Sequence, residues 1–218
     1  MACAICEVRK EKRFCPAVHG RICSSCCGRE REVTLDCPSE CPYLQQARAN
    51  ELPRRAEDVD QSALFPEVEL SDSFIYEREP LIVGLSFALA KSAKADRNLH
   101  DRDLLASLDT LAKTYSTLVS SGLILGDRSP NIAQQAIVDE IQKMTAEFRE
   151  LEQKHLGYAT LRDSEVLKAV VFLLRMGTAR TSGRPKSRAF IDFLFQQFPE
   201  KEGVIASPQE SGSRLIVP

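Results

Sequence analysis

All eight cysteines of this 218-residue chain lie within its first 41 positions. They run Cys3-x2-Cys6, Cys15, Cys23-x2-Cys26, Cys27 and Cys37-x3-Cys41, with His19 close behind Cys15. Residues of this type at this spacing bind soft metal ions. A CxxC knuckle brings two sulfurs to one tetrahedral cation across a tight turn, each about 2.3 Å from it. In a reducing compartment such clusters point to a metal rather than to disulfides. A catalytic dithiol would need only one of these pairs.

The adjacent pair Cys26–Cys27 suggests how the ligands divide. Neighbouring side chains point apart, so the two sulfurs should serve different ions. Eight thiolates then fill two zinc sites in interleaved order: Cys3, Cys6, Cys23 and Cys26 on one ion, Cys15, Cys27, Cys37 and Cys41 on the other. An alternative completes the second site with His19 beside Cys15 and leaves Cys27 spare. Two filled sites keep no open position for water, so catalytic zinc is disfavoured and a structural role is expected. A redox or zinc sensor is a second possibility, because zinc-bound thiolates oxidise and release the metal. An iron–sulfur cluster fits less well, since the C-x2-C-x2-C ferredoxin run is missing.

The elements that must position these sulfurs are short. In "DCPSECPYLQQARAN", Cys37 stands near a helix N-cap with Pro38 at the first helical position and Glu40 in the first turn. A knuckle, a hairpin and a ligand-bearing helix make a treble-clef arrangement. On "CAIC", "FCPAVHGRICSSCC" and "CPSEC", residues 1–48 resemble the interleaved two-zinc modules of the B-box, RING and HIT-finger type. They are also similar to a group of uncharacterised bacterial proteins sharing an "ICSxCCGxxRE…CPxxCxYL" signature. The resemblance implies a structural or protein-interaction module and carries no activity with it.

Beyond the head, composition and periodicity indicate helices. Hydrophobic residues make up 43% of the chain, aromatics only 6%, and tryptophan is absent, which suits an aliphatic helical core. Residues 49–79 are acidic and punctuated by proline, and read as a linker that Phe65, Phe74, Ile75 and Tyr76 would pin to the body. A helical domain should fill 80–198. Pro80 opens a helix whose "LIVGLSFALA" is apolar nearly all round, as for a central buried element. Leu104, Leu108, Leu111, Tyr115 and Leu118 form one seam; Ile137, Ile141, Met144, Phe148 and Leu151 form a matching one. Gly122 and Gly157 should end these two helices, with Ser129–Pro130 capping the second. The seams predict an antiparallel hairpin, with a homodimer through the same faces as the rival. Asp163 should cap a further helix, and Phe190, Phe193, Leu194 and Phe198 mark the last one. The tail 199–218 is polar.

The net charge of −2 excludes polyanion binding by bulk attraction. Two basic clusters remain. Arg9, Lys10, Lys12, Arg13, Arg21, Arg29 and Arg31 surround the cysteines and would balance the formal −2 of each four-thiolate zinc site. Arg180, Arg184, Lys186 and Arg188 form a basic turn that is either solvated or a contact for an anion or nucleic acid. His100 and His155 are isolated. No Gly-rich phosphate loop, catalytic triad order, HExxH or paired carboxylates stand out, so no enzyme is indicated. "MACAICEVRK" lacks a secretory apolar segment, and 81–90 is too short to span a bilayer; a cytoplasmic protein with no membrane contact is expected. The sequence as a whole indicates a mostly α protein, with a small two-zinc treble-clef-like head followed by an all-α bundle of helical hairpins. Its expected role is that of a non-catalytic zinc-binding adaptor for a protein partner. A nucleic-acid-binding regulator using the turn 180–188 is the alternative.

Overall fold

The computed structural model describes residues 1–58, 60–123 and 131–199. It is mostly helical, with a cysteine-rich N-terminal head and a helical bundle behind it. The head consists of the Cys3–Cys6 knuckle, an antiparallel hairpin of β1 (Arg13–Cys15) and β2 (Gly20–Ile22), and the short helix α1 (Ser24–Glu30). Helix α2 (Pro42–Asp58) leads out of it. This helix starts one turn later than the position expected from Pro38. A helix begun at 38 would bury the second proline, Pro42, inside its first turns, where its missing N–H breaks the ladder; begun at 42, the proline takes the first position. Cys41 stands just before that start, and its carbonyl accepts from Leu44 N and Gln45 N at 3.0 Å each.

Helix α2 continues through residue 48 into the segment expected as a linker, which also holds a 3-10 turn (Gln61–Ala63) and α3 (Asp72–Glu77). Phe74 is buried there, and Phe65 and Ile75 pack on the core, but Tyr76 faces solvent. The firmer pin is polar. Arg175 donates to the carbonyls of Leu64 (3.1 Å), Phe65 (2.9 Å) and Val68 (3.0 Å).

The bundle is built from α4 (Glu79–Ala95), α5 (Asp101–Ser121), α6 (Ile132–Leu156) and α7 (Asp163–Arg180), closed at one end by α8 (Ala189–Gln197). Gly122 and Gly157 end α5 and α6 in the left-handed conformation, as expected of C-terminal glycines. Asn131 caps α6, accepting from Ala133 N at 2.9 Å; Ser129–Pro130 and residues 200–218 lie outside the described residues. Arg162 rather than Asp163 stands at the α7 N-cap, and its N–H donates to Glu165 at 2.9 Å. Asp163 instead pairs with Arg149 at 2.6 Å.

The two seams meet, but α5 and α6 run in the same direction. Ser107 Oγ donates to Gln134 O at 3.2 Å near the start of both, and Tyr115 reaches Thr145 further along both. The antiparallel partner of α6 is α4, joined by Arg78–Glu152 (3.3 Å) and Lys91–Glu140 (2.6 Å). Leu104, Leu108, Leu111, Ile137 and Ile141 are buried in the chain's own core. These stretches of the seams offer no face to a second copy. The most enclosed helix is α7, with nine buried residues from Val166 to Ala179, whereas α4 leaves Val83 and Phe87 nearly half exposed.

At Gly177, α7 crosses α5 and α8 so closely that an added Cβ would lie 2.8 Å from both Leu105 Cδ2 and Phe190 Cε1. Phe190 is fully buried and has no room to retreat. Gly177→Ala is therefore expected to lower stability by about 1 kcal/mol or more in urea unfolding, since overpacking outweighs the gain in helix propensity. Gly28→Ala, where nothing lies within 4 Å, is expected to be neutral or to stabilise by up to about 1 kcal/mol in the same assay.

Candidate metal centre

Cys3, Cys6, Cys23 and Cys26 converge, with all four sulfurs within 4.8 Å of one another. A tetrahedral zinc–thiolate site has sulfur–sulfur edges of about 3.8 Å, so the quartet is close to ligating geometry. The backbone holds it there. Glu7 takes a left-handed φ of 55° and donates to Cys3 O at 2.8 Å, closing the knuckle. Cys23 is the N-cap of α1, so Cys23 and Cys26 project from its first turn. N–H groups point at the sulfurs: Cys23 N to Cys3 Sγ at 3.2 Å, Ile5 N to Cys3 Sγ at 3.5 Å, Cys26 N to Cys23 Sγ at 3.4 Å.

These dipoles split the thiols electrostatically. Burial raises the Cys3 pKa, but the amides of Cys6, Cys23 and Ile5 outweigh it and bring the thiol down to about 6. Cys26 is pushed up to about 12 by burial and by the sulfurs of Cys23, Cys6 and Cys3 around it. Several negative sulfurs in one buried cluster repel one another, and a divalent cation at its centre is what would let all four ionise.

Cys27 follows Cys26 on α1 but lines a different space. Together with Cys15, Cys37 and Cys41 it lines one small cavity of about 10 Å³, walled by Ile22, Leu35 and Tyr43. Their sulfurs are less tightly gathered: among the described residues only the first quartet meets the 4.8 Å spacing. Burial pushes the Cys37 thiol up; the Glu32 amide opposes this, and the Cys15 and Cys41 sulfurs and the Glu32 carboxylate add to it. Arg13 Nη1 donates to Cys27 Sγ at 3.6 Å while its guanidinium stacks on Tyr43. His19 lies outside this cavity, exposed at the hairpin tip with a left-handed φ of 48°. Arg21, Arg29 and Arg31 pair with Glu11, Glu30 and Glu51.

The basic turn has a structural role. Arg184 Nη1 donates to Gly28 O (3.0 Å) and Arg31 O (2.8 Å), covering the C-terminal carbonyls of α1. Lys186 N donates to Glu32 O, and its Nζ to Thr34 O and Asp36. Arg188 donates to Arg97 O and Leu99 O at 2.6 Å each. Gly183, at φ 72°, leaves room for the Arg55 guanidinium where any side chain would stand. Among the described residues, Arg180 alone of the four binds no backbone carbonyl, and lies instead over the Phe193 ring at 4.1 Å. The turn is thus a strap that ties head to bundle.

Sequence reasoning missed the other half of that joint. Arg48 on α2 bridges Glu32 of the head (2.6 Å) and Asp192 of α8 (2.5 Å), and Ser39 donates to the same Asp192. Asp101 is buried at the start of α5, where it accepts from Ser187 Oγ, Phe190 N and Ile191 N, so it anchors the strap and the start of α8 together. No pattern of spacing marks such partners. The one available hint was Asp192, an acid set within the apolar run "AFIDFLF". No family model, no curated protein and no solved structure matches the chain.

Two outcomes follow from the geometry. Arg48→Ala strands Glu32, whose side chain is 2% exposed, and should cost about 3–5 kcal/mol in urea unfolding, part of which the added change Glu32→Gln restores. In cobalt(II) titrations the thiolate charge-transfer band should weaken from about pH 8 to about pH 5, because thiols such as Cys26 must lose protons to bind. Cys23→Ser should remove the component of that band that the first quartet supplies.

Proposed function

We propose that this chain is a non-catalytic zinc-binding protein, an interaction or regulatory adaptor whose metal folds the head and whose helical body offers the partner surface. The observation that carries this is the convergence of Cys3, Cys6, Cys23 and Cys26. Four sulfurs satisfy a tetrahedral ion completely and leave no coordination position for substrate or water, which is the pattern of structural zinc. An all-sulfur donor set favours zinc or an iron–sulfur cluster over hard cations. The order of knuckle, hairpin and helix supports kinship in design with treble-clef interaction modules.

A second zinc ion belongs to the same proposal, held by Cys15, Cys27, Cys37 and Cys41. Its support is that all four line one cavity from which His19 is excluded. The nucleic-acid alternative loses support, since Arg184, Lys186 and Arg188 each direct donors to carbonyls within the chain.

Native mass spectrometry of the full chain, with and without a chelator, tests both statements. Two zinc ions per chain are expected, with Cys27→Ser retaining one and His19→Ala retaining both. A single ion in the unaltered protein would remove the second site and leave the first standing. A metal-free protein with an ordered head, or a coloured cluster, would overturn the proposal.

A further inference from the structure

A recess of about 950 Å³ lies between the head and the bundle. Its walls come from the Ser39–Glu40 turn and α2 on one side and from the ends of α4, α7 and α8 on the other. A volume of this size suits a small organic ligand. Its charge is lopsided. Asp192 is already held by Arg48 and Ser39, and the other acid, Glu40, sits exposed on the rim. Arg188 directs Nη1 to two carbonyls. Arg97 and Arg180 line the same recess with no ion pair or side-chain hydrogen bond among the described residues.

Arg180 is the unusual one. Its guanidinium is partly buried against Phe193 at 4.1 Å, and burial, with no carboxylate to offset it, pushes its pKa down. Holding a cation in a partly dry place without a counter-charge is costly, whereas a planar guanidinium stacked on a ring is preorganised to receive a planar or tetrahedral oxyanion through two parallel N–H bonds. The side chains of Phe195 and Leu52 supply apolar area beside it.

We propose that this recess binds a small molecule carrying a carboxylate or phosphate group on a flat apolar body, with Arg180, held against Phe193, as the principal oxyanion contact, Arg97 as the second, and Leu52 and Phe195 as the apolar wall. The site is distinct from the cysteine quartets and does not depend on which metal they hold.

The test is calorimetric titration of the full chain, as purified with its metal, using phenyl phosphate, benzoate and the neutral benzyl alcohol. Saturable binding of phenyl phosphate, of benzoate or of both, with benzyl alcohol at least about tenfold weaker, is expected, because a charge-assisted bidentate contact is worth about that factor or more. Preference between the two acids identifies the group that the natural ligand carries. Arg180→Ala should weaken binding about tenfold or more and Arg97→Ala several-fold, while Lys143→Ala on the far exposed face of α6 changes nothing. Arg97 is exposed, so its variant keeps the test valid if Arg180→Ala fails to fold. Absence of saturable binding, equal binding of benzyl alcohol, or affinities unchanged in the variants would overturn the proposal.

Discussion

The interior of the head is made of thiols. Its buried cluster consists of Cys3, Cys15, Cys23, Cys26 and Cys27 with Ile22 as the only aliphatic member, and Ile5, Leu35 and Tyr43 lie around its edge. A segment this small does not bury enough apolar surface to fold by hydrophobic transfer alone. Sulfur packs as a modest hydrophobe when protonated and as a repelling charge when ionised. The head is therefore an object whose cohesion is set by what neutralises its sulfurs, and everything attached to it inherits that dependence.

The joint to the bundle shows how the dependence is passed on. Four of its bonds end on the backbone of residues 28–34, the stretch that leaves α1 and turns back towards Cys37. The first of these carbonyls belong to the end of α1, whose first turn carries Cys23 and Cys26. The opposite anchor, Asp101, belongs to the bundle and needs no cysteine. Head and body are thus fastened by groups that are strong when aligned and worth little otherwise, unlike the aliphatic core of α4 to α7, where packing tolerates small shifts.

Much of this was legible in the residues, and the failures have physical reasons. The CxxC spacings and the CC step pointed to the first quartet because ligand geometry constrains the local chain. The alternation of three and four apolar positions revealed the helices and the buried leucines. The relative direction of α5 and α6 was not legible, since a seam such as Leu104–Leu108–Leu111 packs equally well in either sense. The role of the basic turn was hidden for a different reason: Arg184 and Lys186 bond to main-chain oxygens, which every residue possesses and no side-chain pattern reports. Glu32 and Asp192, far apart in sequence, are joined only through Arg48. The choice of Pro42 over Pro38 turned on a single missing N–H.

The bond from Arg184 to Gly28 spans 156 positions of the chain, and that separation has a temporal meaning. On a ribosome adding about 5–20 residues each second, the cysteines emerge roughly seven to thirty seconds before the guanidinium that will cover the end of α1. During that interval the last helical carbonyls of the nascent head stand open to water. Completion of the molecule is then a closing step made by the youngest part of the polypeptide upon the oldest.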